Sequence, residues 1–182
     1  WLHTRDWSET ASKARKKTGA ELVAVDRNPV DAVWGDQPPR SPEKLVVHDQ
    51  QYAGKSAADK RADVAAWLKD NDYDATVIAA LDSVAWFFNV RADETATLFV
   101  APEKLTDAVR EHLGNHVEIR DYDQLAEALS DMGGKTVAVD PERSVAAIFE
   151  ALDGAGATVV KDRDPTILAK AIKNEAEIAG HK

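Results

Sequence analysis

The sequence predicts an α/β fold, a single domain in which helices flank a mostly central β-sheet. Short apolar segments alternate with helix-compatible segments through the second half of the chain, and the turns between them are short. A length of 182 residues with 44% hydrophobic content provides enough material for one good-sized core. The sequence contains no internal repeat and no long linker, so we expect one domain.

The first part of the chain alternates between predicted helices, strands and turns. The predicted elements are a helix over 5–18, a strand over 21–26, a helical turn over 28–34, a loop over 35–44 and a strand over 45–49. Gly19 ends the first helix as a C-terminal cap, and Asn28 with Pro29 breaks the chain after the first strand. The prolines of the loop cannot donate the backbone hydrogen bonds that a strand needs.

The clearest helix follows, in the segment SAADKRADVAAWLKDN. Ser56 and Asp59 fit an N-terminal capping box, with Asp in place of the usual Glu. Val64, Trp67 and Leu68 recur at helical spacing and would form one apolar face. We therefore expect this helix to be one of those that cover the sheet.

The second half of the chain alternates between strands and helices. Strands are predicted over 75–81, 95–101, 117–122, 135–140 and 157–162, and helices over 103–113, 124–132 and 144–152. Pro165 suits the first turn of a final helix, because its φ is fixed near the helical value and its missing N–H is not needed there. This alternation is the main reason for assigning the α/β class.

The composition narrows the classes of partner and site. The net charge of −9 argues against a nucleic-acid groove or an anionic membrane surface as the main partner. The absence of cysteine excludes disulfides, thiolate nucleophiles and thiolate metal sites. No apolar run approaches the roughly 20 residues of a membrane helix, so we expect a cytoplasmic location. The chain starts without methionine and stops within helix-like sequence, and we expect both ends to be internal positions of a longer polypeptide.

The histidines do not form a recognisable catalytic or metal-binding pattern. They are scattered along the chain, at His3, His48, His112, His116 and His181. His112 and His116 have i, i+4 spacing, but Gly114 should end the helix between them, so they do not share a zinc-binding face. His48 precedes Asp49 at a predicted strand end, where catalytic residues of α/β proteins occur, but no nucleophile accompanies it.

Two other patterns are compatible with a ligand site without establishing one. Gly154 and Gly156 follow a predicted helix and precede a strand, which is the reverse of the order that binds a dinucleotide. Asp26, Asp82 and Asp140 lie at strand ends, where carboxylates either hold magnesium or form turns and caps. The residues alone therefore give no complete catalytic constellation.

The stretch LDSVAWFFNVR places a permanent positive charge, Arg91, after a segment rich in Trp and Phe. A guanidinium group offers planar, bidentate hydrogen bonds to a carboxylate or a backbone carbonyl. Either Arg91 binds such a ligand, or it forms a structural ion pair with an acid such as Asp82 or Asp93.

This stretch resembles the L-D-x-I-A-W-L-x-N-x-R-G segment of the large, three-domain Xaa-Pro aminopeptidases (aminopeptidase P). Three further stretches agree in the same order along the chain. They are NPVDAVWGDQPPRSP, similar to N-x-V-D-x-x-W-x-x-x-P-P, YAGKSAADKRADV, similar to Y-A-G-x-S-x-x-E-K, and AKAIKNEAEIAGHK, similar to K-x-x-K-N-x-x-E-I. Motifs in register over nearly the whole chain make the resemblance specific.

The resemblance implies that residues 1–164 are the second creatinase/prolidase-like N-terminal domain of such an enzyme, with a ribonuclease H-like mixed β-sheet flanked by helices. Residues 165–182 would begin the linker helix to a C-terminal catalytic domain of the same polypeptide. That domain would hold two divalent metal ions, manganese or zinc, so no metal and no catalytic residue is expected in this chain. The resemblance also implies short proline-containing peptides as substrates and a homodimeric parent, with no nucleic acid and no membrane as partner.

By the same resemblance, Trp86, Asn89 and Arg91 would lie at the substrate cleft or at the domain interface. The match breaks after Arg91, where the family has a glycine, a proline-containing loop and a further strand. Here a short Ala-Asp-Glu stretch leads directly into TATLFV. Deletion of a strand from within a sheet would expose apolar surface and unpaired backbone groups. We therefore favour additional residues at this point of the parent over a true deletion.

Three functions stay open at this point. The first is a non-catalytic domain that walls the cleft of a metal-dependent aminopeptidase, which removes the N-terminal residue preceding proline. The second is a non-enzymatic peptide- or protein-binding module of the same fold, which a downstream sequence without metal ligands would favour. The third is a free-standing small-molecule sensor, and stabilisation of the chain by metal would favour it.

Overall fold

The computed structural model describes residues 13, 15–19, 29–37, 43–88 and 96–180. Residues 13 and 15–18 are helical, and the α-helices that follow are α1 (Pro29–Val33), α2 (Gln50–Ala53), α3 (Ala57–Asp70), α4 (Leu81–Phe87), α5 (Asp107–Leu113), α6 (Leu125–Ser130), α7 (Ala146–Ala155), α8 (Thr166–Ala171) and α9 (Glu175–Gly180). The strands are β1 (Ala75–Val77), β2 (Ala96–Phe99), β3 (Val117–Arg120), β4 (Thr136–Val139) and β5 (Thr158–Lys161). No helix in these ranges is both long enough and apolar enough to span a membrane.

Strand β4 lies between β1 and β5 in a three-stranded parallel sheet. Val137 on β4 is opposite Ala75 on one side and Val159 on the other. Strands β2 and β3 form a second parallel pair, in which Ala96 is opposite Val117. Parallel strands need crossover connections, and the helices between these strands supply them. The predicted α/β class, with helices flanking the strands, is therefore confirmed, but the described strands form two parallel sheets where one central sheet was expected.

Two apolar clusters pack helices against the two groups of parallel strands. The first joins β4 to α6 and α7 and consists of Leu129, Val137, Val139, Ile148, Phe149 and Leu152. The second joins β2 and β3 to α3 and α5 and consists of Ala57, Leu98, Val109, Leu113 and Val117. Burial of each large aliphatic or aromatic side chain contributes about 1.5–3 kcal/mol. The clusters therefore stabilise the two groups of parallel strands and fix the helices on which the candidate site is built.

The predicted strand over 45–49 is wrong. The Leu45 N–H donates to the Lys104 carbonyl at 2.8 Å, but no strand ladder forms there with any described residue. Val46 is 89% exposed, so the apolar residues of this segment do not mark a buried strand. β-branched residues favour a strand only where a neighbouring strand or a core supports them. The predicted strand over 21–26 lies outside the described residues, as does most of the predicted first helix.

The structure also changes two helix predictions. Helix α5 begins at Asp107 rather than Glu103, because the Thr106 hydroxyl accepts the Val109 N–H at 3.2 Å and so caps the helix. The prediction of one final helix is wrong, because residues 172–174 are not helical and separate α8 from α9. The Asn174 side chain accepts the Glu177 N–H at 3.0 Å and so caps the start of α9.

Candidate functional site

Trp86 lies in the last turn of α4 and is half-buried. The ammonium group of Lys60, on α3, donates to the Trp86 backbone carbonyl at 3.1 Å. The same nitrogen lies 4.3 Å from the centroid of the Trp86 ring, within the range of a cation–π contact. One lysine therefore fixes both the backbone and the indole of the first predicted site residue.

Lys60 is almost completely buried, with 2% of its surface exposed. Burial lowers the pKa of Lys60, the negative charge of Glu177 on α9 acts in the opposite direction, and Lys55 lowers the pKa further. Because its side chain is buried, the Lys60 amine is inaccessible as a nucleophile. It acts as an internal hydrogen-bond donor that joins α3 to α4.

The aromatic residues that follow Trp86 anchor the end of α4. Phe87 is buried, and Phe88 packs against the cluster that contains Leu98. The two phenylalanine rings meet edge to face, with centroids 5.3 Å apart. The other two predicted site residues, Asn89 and Arg91, lie outside the described residues, immediately after this anchored end.

Asp82 opens α4 and forms an ion pair with Lys170 on α8. The Lys170 ammonium also donates to the fully buried Ser83 hydroxyl at 3.2 Å, and Arg143 lies 3.8 Å from the other Asp82 carboxylate oxygen. The hydrogen bond from Lys170 lowers the pKa of Asp82, and the charges of Lys170 and Arg143 add to this effect. The predicted strand end at Asp82 is wrong, because β1 ends at Val77 and Asp82 lies in the first turn of α4. From there its carboxylate ties α8 to the start of α4.

Asp140 follows β4 and organises the turn into α7. Its carboxylate accepts the Glu142 N–H at 2.8 Å and the Asp164 N–H at 2.9 Å. Asp164 in turn accepts both the N–H and the hydroxyl of Thr166. Within the described ranges, no three His, Cys, Asp or Glu side chains form a group that could hold a metal ion. Asp140 thus has the role of a turn and cap former, and Asp26 lies outside the described residues.

The predicted helix end between His112 and His116 is confirmed, whereas His48 does not follow a strand. Helix α5 ends at Leu113 with Gly114 as its C-cap, so the helix does not continue from His112 to His116. His48 lies in an exposed segment, and the neighbouring Asp49 caps α2 by accepting the Gln51 N–H at 2.9 Å.

Three of the four motif segments meet in space. Lys60, from the YAGKSAADKRADV segment, contacts Trp86 from the LDSVAWFFNVR segment. The side chain of Asn174, from the AKAIKNEAEIAGHK segment, donates to the Ala53 carbonyl at 2.8 Å. Sequence reasoning singled out neither Lys60 nor Asn174. The motif resemblance could have pointed to both residues. Lys60 matches the final K of Y-A-G-x-S-x-x-E-K, and Asn174 matches the N of K-x-x-K-N-x-x-E-I.

Comparison with known proteins identifies the family of the chain. The model of the Creatinase/Prolidase N-terminal domain family matches residues 36–96 and 92–177. Probable Xaa-Pro aminopeptidases P from Aspergillus clavatus and Leptosphaeria maculans are 35% and 34% identical to the chain, over 98% and 96% of it. A crystal structure of an X-prolyl aminopeptidase from Caenorhabditis elegans, described as a cytosolic enzyme with a di-nuclear active site, superposes with a TM-score of 0.83. That enzyme is 26% identical over 98% of the chain.

The extent of these matches is informative. The chain spans about a third of each relative, namely 31% and 33% of the two fungal proteins and 33% of the nematode enzyme.

The two family-model matches overlap at residues 92–96, directly after the point where the motif resemblance breaks. The alignment with the A. clavatus protein covers 204 positions, more than the 182 residues of the chain, so that relative has residues that this chain lacks. The fold of the chain and the family-model matches together show that the chain belongs to the creatinase/prolidase N-terminal domain family.

Proposed function

We propose that the chain is a non-catalytic domain of a metal-dependent aminopeptidase that removes the N-terminal residue preceding a proline. In this proposal the domain walls the active-site cleft, and the C-terminal catalytic domain of the same polypeptide performs the hydrolysis. The observation that carries the proposal is the coverage of the matches. Nearly the whole chain aligns with Xaa-Pro aminopeptidases, but it accounts for only about a third of their length.

The chemistry of the described residues supports this division of labour. The nematode enzyme has a di-nuclear active site. The described ranges of this chain contain no group of metal-ligating side chains that fits such a centre. We therefore assign the two divalent ions, manganese or zinc, to the catalytic domain, and we route no chemical step through this chain.

Within this proposal, Trp86, Asn89 and Arg91 form the part of the domain that faces the cleft. The support is the anchoring of α4, whose last turn is held by Lys60 and by two packed phenylalanines. A rigid helix end would present the polar residues that follow it to the peptide or to the catalytic domain. Arg91 would then bind the carboxylate end of the peptide or a carbonyl of the catalytic domain.

The test of the function uses an extended polypeptide, in which the chain is continued along its reading frame to the length of the relatives. With manganese present, we expect it to release the first residue of a peptide whose second residue is proline, and a chelator should abolish the release. Binding of the peptide without any cleavage would instead favour a non-enzymatic binding module.

The role of Arg91 is tested in the same extended polypeptide. If Arg91 binds the peptide, Arg91→Ala should raise the KM for the Xaa-Pro peptide. If Arg91 binds the catalytic domain, the same variant should lower the thermal stability of the polypeptide. The control is Arg110→Ala, which removes an exposed arginine on α5. Unchanged KM and unchanged stability in the Arg91 variant would contradict its assignment.

The location and assembly of the parent are also part of the proposal. We propose a cytoplasmic homodimer, and the nematode relative is described as cytosolic. Sedimentation of the extended polypeptide at micromolar concentration should give twice the monomer mass, whereas a monomer would overturn this point.

A further inference from the structure

Gly54 creates a notch between α2 and α3. It has φ +67° and ends α2 in the left-handed conformation, which glycine adopts without strain. A Cβ atom at this position would lie 2.1 Å from Oδ1 and 2.4 Å from Cγ of Asn174. The side chain of Asn174 therefore occupies space that only a glycine at position 54 leaves open.

Asn174 uses both ends of its amide within this notch. Its Nδ2 donates to the Ala53 carbonyl at 2.8 Å, across 121 positions of sequence. Its Oδ1 accepts the Glu177 N–H at 3.0 Å, and the Glu177 carboxylate accepts the Asn174 N–H at 3.0 Å. The same side chain thus caps α9 and ties the start of α9 to the end of α2.

The helical structure is interrupted just before α9. Ile172 ends α8 in an extended conformation, so α8 and α9 are separate helices rather than one rod. Helix α8 is held on α4 by Lys170, which binds Asp82 and Ser83. The orientation of α9 is therefore set separately from that of α8, by the contacts that Asn174 makes.

We propose that Asn174, seated in the Gly54 notch, is a positioning residue that fixes the direction in which α9 leaves the domain. This inference deepens the proposed function and rests on it in one respect. If a catalytic domain follows α9, the Asn174 contact sets where that domain lies relative to the cleft wall. The contact itself belongs to this chain and can be tested without any catalysis.

The test measures the direction of α9 in the chain itself. Because the chain has no cysteine, Glu150→Cys on α7 and Ala179→Cys on α9, both at exposed positions, can be spin-labelled without side reactions. Double electron–electron resonance should give one narrow distance distribution. Asn174→Ala should broaden that distribution roughly twofold, because α9 loses its anchor and samples several orientations. Neither core cluster contains a residue of α9, so the variant should keep the rest of the fold.

Two further variants separate anchoring from capping. Asn174→Asp keeps an acceptor for the Glu177 N–H but cannot donate to the Ala53 carbonyl, so it should broaden the distribution while α9 stays helical. Asn71→Ala is the matched control, since the Asn71 amide also donates to a carbonyl at 2.8 Å, but locally, from the C-cap of α3 to Trp67 in its last turn. An unchanged narrow distribution in both Asn174 variants would overturn the inference.

The outcomes also distinguish this inference from the proposed function. Broadening in the Asn174 variants, together with no peptide cleavage by the extended polypeptide, would support the anchor and refute the peptidase assignment. Peptide cleavage by the extended polypeptide, with no broadening of the distance distribution in the Asn174 variants, would support the peptidase assignment and refute the anchor.

Discussion

The ammonium group of Lys60 lies 3.1 Å from the carbonyl oxygen of Trp86 and 4.3 Å from the centre of its ring. Trp86 is in the last turn of α4. Backbone carbonyls there receive no hydrogen bond from an N–H of the same helix, so they need a donor from elsewhere. A cation at this end also interacts favourably with the helix dipole. Lys60 therefore stabilises the end of α4 from within the domain, next to the residues that we place at the cleft.

Lys60→Ala should destabilise the domain by about 2 kcal/mol, because a partly buried carbonyl loses its donor and the packing of the lysine stem is lost. Lys69→Ala, at an exposed position near the other end of α3, should change the free energy of unfolding by less than about 0.5 kcal/mol. Urea unfolding followed by circular dichroism measures both. Equal stabilities for the two variants would show that the Lys60 contact contributes nothing.

The ion pair between Asp82 and Lys170 predicts a pH dependence. The pKa of Asp82 is lowered from its ordinary value of 3.8, so the folded state binds this proton less readily than the unfolded state. The stabilisation is therefore fully present above pH 3.8 and is lost as the pH falls through the folded-state pKa. Chemical unfolding should show wild type more stable than Asp82→Asn near neutral pH, with a gap that shrinks in acid. In a Lys170→Ala background most of the gap should be absent at every pH, and a gap of unchanged size there would contradict the assignment of Lys170 as the main partner.

Leu152 on α7 belongs to the cluster that joins β4 to α6 and α7, and it has 0% exposure. Leu152→Ala should cost about 2–5 kcal/mol, through lost burial and the cavity that remains. Leu168 on α8 is 68% exposed, and Leu168→Ala should cost less than about 0.5 kcal/mol. Thermal unfolding of the two variants measures the contrast, and similar melting temperatures would argue against this cluster as the core.

Ser144 and Thr166 are both buried hydroxyl residues with different surroundings. The Thr166 hydroxyl donates to Asp164 at 2.7 Å, whereas the Ser144 hydroxyl has no hydrogen-bond partner among the described residues. Thr166→Val should therefore destabilise the domain by about 1–3 kcal/mol, and Ser144→Ala should be neutral or stabilising. Urea unfolding separates the two, and a larger loss in the Ser144 variant would refute the assigned hydrogen bonding.

Local sequence signals predicted local structure well. Ser56 was expected to cap α3, and its hydroxyl accepts the Asp59 N–H at 3.1 Å. The fold class followed from alternating apolar segments, and the parallel strands of both sheets confirm it. Such features depend on neighbouring residues, which a single sequence contains.

Features that depend on distant contacts could not be predicted in the same way. The apolar residues around Val46 favour a strand, but no strand ladder forms there in the described part of the chain. The division of the last helix depends on a notch at Gly54, far from Asn174 in sequence. Lysine side chains are mostly exposed in proteins, and the burial of Lys60 against Trp86 follows from how α3 and α4 pack. The cleft roles of Trp86, Asn89 and Arg91 stay predictions.

The most direct test of the central proposal is a peptidase assay on the chain alone. The purified chain is incubated with manganese and a peptide whose second residue is proline, and release of the first residue is followed by mass spectrometry. We predict no release above that of a metal-only control, because the proposal assigns every catalytic group to another domain. Metal-dependent release of the first residue by the chain alone would contradict the account.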